Sequence, residues 1–105
     1  MLSIINIPIH KRLKEARLLI GISQKQLGIA AGIDEFSSSA RINQYERGKH
    51  IPDFLTLKNI AKILTVPVPY FYTEDNILAE IVLMYGQVGS ESRKKALIHF
   101  KSFFI

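Results

Sequence analysis

ISQKQLGIAAGIDEFSSSARINQYERG, residues 22 to 48, contains two helical signals separated by a glycine. Ser23 and Gln26 have the S-x-x-Q spacing of a capping box, Leu27, Ala30 and Ala31 follow at helical intervals, and Gly32 suits a left-handed end. That predicts a short helix of about nine residues. Gly28 in its middle costs roughly 1 kcal/mol relative to Ala, which predicts a second helix passing close to its backbone. The second helix is expected over Ser37 to Gly48, where Ile42, Tyr45 and Glu46 share one face. On the other side Ser37, Ala40, Arg41 and Gln44 fall at i, i+3, i+4 and i+7, with Asn43 and Arg47 beside them.

The flanks extend this pattern. Pro8 and Gly21 bracket an upstream helix with Ile9, Leu13, Ala16 and Ile20 at helical spacing. Arg17 falls on the same stripe, so its charge points inward and needs a partner. Downstream, Pro52-Asp53 starts a helix with the stripe Leu57, Ile60, Ala61, Leu64, and Pro67 closes it. VPVPYFY leaves room only for a short turn whose aromatics close the core, and Thr73 to Asn76 reads as a linker. Leu78, Ile81, Val82 and Tyr85 then form an apolar stripe, GQVGS interrupts it, and Ser90 caps a last helix bearing Leu97, Phe100 and Phe104. No strand-like alternation and no fixed-period repeat occurs. The expected class is all-α, with one helical unit over residues 1 to 73 and a helical hairpin over residues 74 to 105.

Bulk composition sets the bounds. A chain of 105 residues with 48% apolar and 22% charged residues supports one folded unit with a core, far from the composition of disordered chains. The absence of cysteine excludes a disulfide framework, a thiolate metal site and a cysteine nucleophile, and fits a reducing cytoplasm. The apolar stretches MLSIINIPI and ILAEIVLMY are far shorter than the roughly 20 residues that span a bilayer, and no secretory signal is expected at the N-terminus. Net charge is +5. Residues 1 to 66 carry ten Lys or Arg against five Asp or Glu, whereas residues 67 to 105 carry four of each, so all the excess lies in the first two-thirds. A localised basic surface suits a polyanionic partner.

The comb on Ser37 to Gly48 has the groups that match base edges. Gln or Asn pairs bidentately with adenine, Arg with guanine, and an Ala methyl touches a thymine methyl. Taken alone, the same comb is also what a solvated helix face presents.

The wider pattern separates these readings. ISQKQLGIAAGI followed by INQYERGKHIPDFLTLKNIAKILTVPVPYFY resembles the lambda-repressor-like, or Cro/Xre, helix-turn-helix family over about sixty residues. The resemblance rests on the Ser-Gln start, the small residue after Leu27, Gly32, the I-x-x-aromatic-E-R-G run, the proline, the L-x-x-I-A-x-x-L helix and the aromatic close. It implies a five-helix lambda-repressor-like DNA-binding domain, followed here by the C-terminal hairpin, whose third helix enters the major groove. Carried onto matching positions, Ser39, Ala40 and Gln44 stand at base-reading positions with Ser38, Arg41 and Asn43 as neighbours. Gln24 contacts a phosphate and braces the reading helix, and Arg47 and Lys49 grip the backbone. The resemblance also pairs Arg17 with Glu46. The chain departs from the pattern in having four extra residues between Gly32 and Ile42, which either lengthen the turn or extend the reading helix from an Asp34 cap. Leu18, Leu19 and Ile20 replace residues that are commonly polar in relatives, so something apolar is expected to cover them.

The implied partner is double-stranded DNA, bound as a homodimer on a palindromic operator, and the implied activity is transcriptional repression by promoter occlusion. With about thirty residues after the DNA-binding unit, no ligand-sensing domain is expected. Ile81, Val82, Tyr85, Leu97, Phe100, Phe103 and Phe104 exceed what one narrow stripe buries and are assigned to the dimer contact, with MLSIINI adding to it. The alternative is an antitoxin or other interaction module using the same fold, with the apolar C-terminus binding a partner protein. His10, His50 and His99 are far apart and no metal-ligand or phosphate-loop motif occurs, so no metal, no cofactor, no catalytic residue and no membrane attachment is expected.

Overall fold

The computed structural model describes residues 7 to 105. Among them there is no strand: α1 (Ile9–Ile20), α2 (Gln24–Ala30), α3 (Glu35–Glu46) and α4 (Phe54–Leu64) lead into a 3-10 turn at Val68–Tyr72, then α5 (Asn76–Gln87) and α6 (Ser90–Lys101). The chain is all-α.

Local chemistry sets most of these limits. Ser23 and Gln26 form a reciprocal capping box, with Ser23 Oγ accepting from the Gln26 amide at 3.0 Å and the Gln26 side chain accepting from the Ser23 amide at 2.9 Å. Carboxylates cap three other helices: Asp34 accepts from Phe36 N–H, Asp53 from Thr56 N–H and Asp75 from Leu78 N–H. The Asp34 cap resolves the four extra residues into one more helical turn, so α3 spans Glu35–Glu46 rather than Ser37 to Gly48. Ser90 does not cap α6. It is the first helical residue, and the capping position is Gly89, which has no side chain to offer.

Leu13, Leu27, Ile42, Leu57, Ile60, Leu64 and Phe71 are fully buried and tie α1 to α4 and the 3-10 turn into one core. Seven such side chains contribute on the order of 10 kcal/mol of transfer free energy against exposure. Tyr70 and Phe71 close the core in an edge-to-face pair, while Tyr72 stays exposed.

The segment read as a linker is held firmly. Arg12, only 3% exposed, donates from Nε to Thr73 O at 2.8 Å and from Nη2 to Glu74 O at 2.9 Å and Asn76 Oδ1 at 3.0 Å, with Glu15 as its counter-charge. Every donor of a buried guanidinium that finds an oxygen removes part of the desolvation penalty, so Arg12 fixes the start of α5 on α1. From there α5 buries Ala79 and packs Val82 and Leu83 on the core. Leu78, Ile81 and Tyr85 lie outward instead. The apolar surface of α5 is therefore divided between its own core and solvent.

No residue of α6 is buried. Arg93 sets its angle to α5, donating to Tyr85 O at 3.0 Å with its guanidinium 4.3 Å above the Tyr85 ring.

Candidate nucleic-acid interface

α2 and α3 meet where Gly28 faces Ser38. A Cβ on Gly28 would lie 2.6 Å from Ser38 Cβ and 2.9 Å from its Cα, so only glycine permits this approach. Ser38 is fully buried, and its hydroxyl donates toward Ile33 O at 2.9 Å and Asp34 O at 2.8 Å. This corrects its assignment beside the base-reading residues. Ser38 lies one turn before Ile42 on the inward stripe, so its side chain seals the α2–α3 contact and faces no solvent.

Behind α3 runs a charged brace. Glu46 accepts from Arg17 Nε at 2.5 Å and from Arg17 Nη2 at 3.0 Å, a bidentate pair in which the side chains are 11% and 3% exposed, Arg17 first. The carboxylate's hydrogen bond raises the Arg17 pKa above its usual value against the opposing effect of burial. Arg17 also donates to Ile22 O, and Gln24 Nε2 donates to Glu46 Oε1 at 3.0 Å and to Asn43 Oδ1 at 3.2 Å. Three elements thus converge on one carboxylate: α1 through Arg17, α2 through Gln24, and α3 through Glu46 itself. Asn43 is half-buried and uses its carbonyl oxygen in this brace, leaving its amide nitrogen for outside partners.

The outer side of α3 is open. Ser39, Ala40 and Arg41 are exposed, and Gln44 is half-buried with no side-chain hydrogen bond to another group of the chain among the described residues. α3 ends in a Schellman motif: Gly48 takes φ +73°, its N–H reaches Tyr45 O at 3.2 Å, and Lys49 N–H reaches Gln44 O at 2.9 Å. This turn leaves Arg47 and Lys49 exposed together, at the rim of a cleft of about 470 Å³ also lined by His10, His50 and Ile51. Sequence reasoning did not bring His10 to this place. Only the packing of α1 against the end of α3 does so, with His10 3.7 Å from where a Gly48 side chain would begin.

Among the residues assigned to a dimer contact, Ile81, Tyr85, Leu97, Phe100, Phe103 and Phe104 are exposed, and a groove of about 550 Å³ opens between α5 and α6. Val82 is a correction. It follows Ala79 by three residues and turns with it toward the core of its own chain. The N-terminal MLSIINI lies outside the described residues except for Ile7, which packs on the core. Leu18, Leu19 and Ile20 are exposed, and within the described residues nothing covers them. No group of three or more metal-ligating side chains occurs among the described residues, and none of their helices is long and apolar enough to cross a membrane.

The family model described as Helix-turn-helix matches residues 13 to 71. Uncharacterized HTH-type transcriptional regulators of Sinorhizobium medicae and Rhizobium meliloti are each 34% identical over 70 residues, covering 67% of this chain and 48% of theirs. The chain spans about half the length of these curated relatives. The crystal structure of the transcriptional regulator BswR is similar at 43% identity and a TM-score of 0.83, covering 89% of this chain and 92% of that one. The matched span starts at the first fully buried leucine of α1 and ends at the fully buried phenylalanine of the 3-10 turn. Because it covers more than half of the chain and takes in α2, α3 and every fully buried side chain, the chain belongs to the helix-turn-helix family of transcriptional regulators.

Proposed function

We propose that the chain represses transcription by binding a palindromic operator as a two-fold dimer and occluding the promoter in the cytoplasm. The observation that carries this reading is the open face of α3, held rigid from behind by the Arg17–Glu46–Gln24 brace. Ser39, Ala40, Arg41 and Gln44, with the Asn43 amide beside them, are offered to base edges. Arg47 and Lys49 supply charge for phosphates on the flank, with the backbone N–H of Gln24 at the start of α2 as a further phosphate contact, since both hydrogens of its side-chain amide are held by Glu46 and Asn43. Preorganisation matters because a reading helix that wobbles loses the geometry of bidentate pairing.

One reading helix covers only a few base pairs. Two of them about 34–36 Å apart meet the same groove face one DNA turn on, which is the advantage of a dimer. The exposed apolar residues of α5 and α6 support self-association, since a monomer in water gains nothing from presenting Leu97, Phe100, Phe103 and Phe104. The same surface also favours a second reading, in which the C-terminus holds a partner protein, as an antitoxin holds its toxin.

Selection from a randomised duplex pool at low salt tests the function. The expected result is enrichment of a two-fold symmetric site whose affinity falls steeply with salt as phosphate contacts release counterions. A pool that shows no enrichment refutes operator binding, and enrichment of an asymmetric half-site alone refutes the symmetric dimer.

A further inference from the structure

The extra turn at the start of α3 presents Phe36 to solvent at 95% exposure, the highest value for any aromatic ring among the described residues. An exposed phenyl ring gains by burial against any apolar surface. The turn that carries it is rigid: Asp34 caps the Phe36 amide at 3.1 Å, Ser37 N–H reaches Asp34 O at 3.1 Å, and Ser38 is sealed under Gly28. Phe36 is thus held in place on an ordered helix.

Its position continues the outward stripe. Phe36, Ala40 and Gln44 stand at i, i+4 and i+8, so the ring lies one turn ahead of Ala40 on the side of α3 that carries the proposed reading residues. Four added residues lengthen the helix by about 6 Å, enough to bring a further base step within reach. The chemistry at this tip is selective. Asp34 and Glu35 are exposed acids there and repel phosphate, so a backbone contact is unfavourable. The ring carries no charge, and its match in the major groove is the C5-methyl group of thymine.

We infer that Phe36 is an additional specificity-determining residue that packs on a thymine methyl in the major groove. This rests on the operator reading above. It also assigns a role to the four added residues: they extend the read sequence outward from the positions contacted by Ala40 and Gln44.

The test uses the full chain, its Phe36→Ala and Phe36→Leu variants, and the duplex that the wild-type chain enriches from a randomised pool. Each thymine of that duplex is replaced in turn by deoxyuridine, which removes only the methyl group. At one thymine per half-site the wild-type chain should lose roughly five- to tenfold in affinity. Phe36→Ala should lose a similar factor on the unmodified duplex and be indifferent to that replacement, with Phe36→Leu between the two. Unchanged affinity and unchanged deoxyuridine sensitivity in Phe36→Ala overturn the inference, and so does a loss of affinity in Phe36→Ala that is not coupled to any thymine methyl. A wild-type chain that enriches no duplex overturns the operator reading and this inference with it. Because Phe36 contacts so little of its own chain, all three proteins should melt alike, so a difference in binding is not a difference in folding.

Discussion

A methyl group placed on residue 28 meets Ser38 Cβ at 2.6 Å and the Ser38 backbone at 2.9 and 3.0 Å, and that backbone belongs to a helix with little freedom to retreat. Gly28→Ala in an open helix stabilises by roughly 1 kcal/mol through propensity. Here overpacking against a fixed neighbour outweighs that gain, and a net loss of about 1–2 kcal/mol in urea unfolding is expected. A neutral or stabilising result shows that α2 and α3 can separate freely. The proposed reading residues make a different kind of prediction. Gln44→Ala should weaken the selected duplex by roughly 1–3 kcal/mol per half-site and relax base preference at one position, whereas Lys49→Ala should weaken cognate and scrambled duplexes alike. Binding isotherms with the same profile for both variants defeat the division between reading and gripping. At this scale the inward phase of Glu46 was legible, since it follows Ile42 by four. So was that of Ser38, which precedes Ile42 by four, yet a serine at a helix start reads more readily as a polar surface residue.

Helix ends carry their own electrostatics. Asp53 caps α4, and the hydrogen bond from the Thr56 amide lowers its pKa below the usual 3.8. A folded-state pKa below the unfolded one means that the cap's stabilisation is fully present above the unfolded value and is lost as pH falls through the folded value. Asp53→Ala should therefore melt lower than the parent chain at neutral pH. The gap should close as the solution is taken well below pH 3.8, while Asp53→Asn, which keeps an acceptor but no titrating charge, should lose less. Thermal melts with a gap that is constant across this range contradict the charged-cap account. Elements were legible in the sequence wherever the signal is local, as at Ser23–Gln26 or Asp53–Thr56. The linker reading at Thr73 to Asn76 failed to anticipate order because its partner is Arg12, sixty-one residues upstream of Thr73 and on another helix.

The principal dimensions of 53 × 34 × 22 Å describe an elongated molecule, with a radius of gyration of 15.4 Å against about 13 Å for a compact chain of this size. Such a shape accords with a C-terminal helix that buries none of its residues. Exposure of Leu97 and Phe100 along the α5–α6 groove is unfavourable in water, and a second copy is the proposed cover. The full chain should sediment as a dimer at tens of micromolar. Leu97→Ser combined with Phe100→Ser should shift it to monomer, lower affinity for a palindromic duplex by about tenfold or more, and change half-site affinity little. A wild-type chain that sediments as a monomer, with operator affinity untouched by the double change, removes the dimer from the proposal.

Most of the helices could be read from the sequence because their signals depend on neighbours within four or five residues, such as a serine three before a glutamine, apolar residues at three and four, or a glycine where φ turns positive. The family could be read from about sixty residues of such signals in order; the cap of α6 and the first turn of α3 could not. What the tertiary structure decided was the use made of polar and borderline residues whose phase fits two surroundings. Arg12 became a buried clasp for α5, Ser38 a seal under Gly28, Asn43 part of the Glu46 brace, and Val82 a half-buried side chain packed on the core of its own chain. Each outcome depends on which backbone or side chain arrives from another helix. Helical periodicity specifies the direction a side chain takes, and only packing supplies the partner it meets.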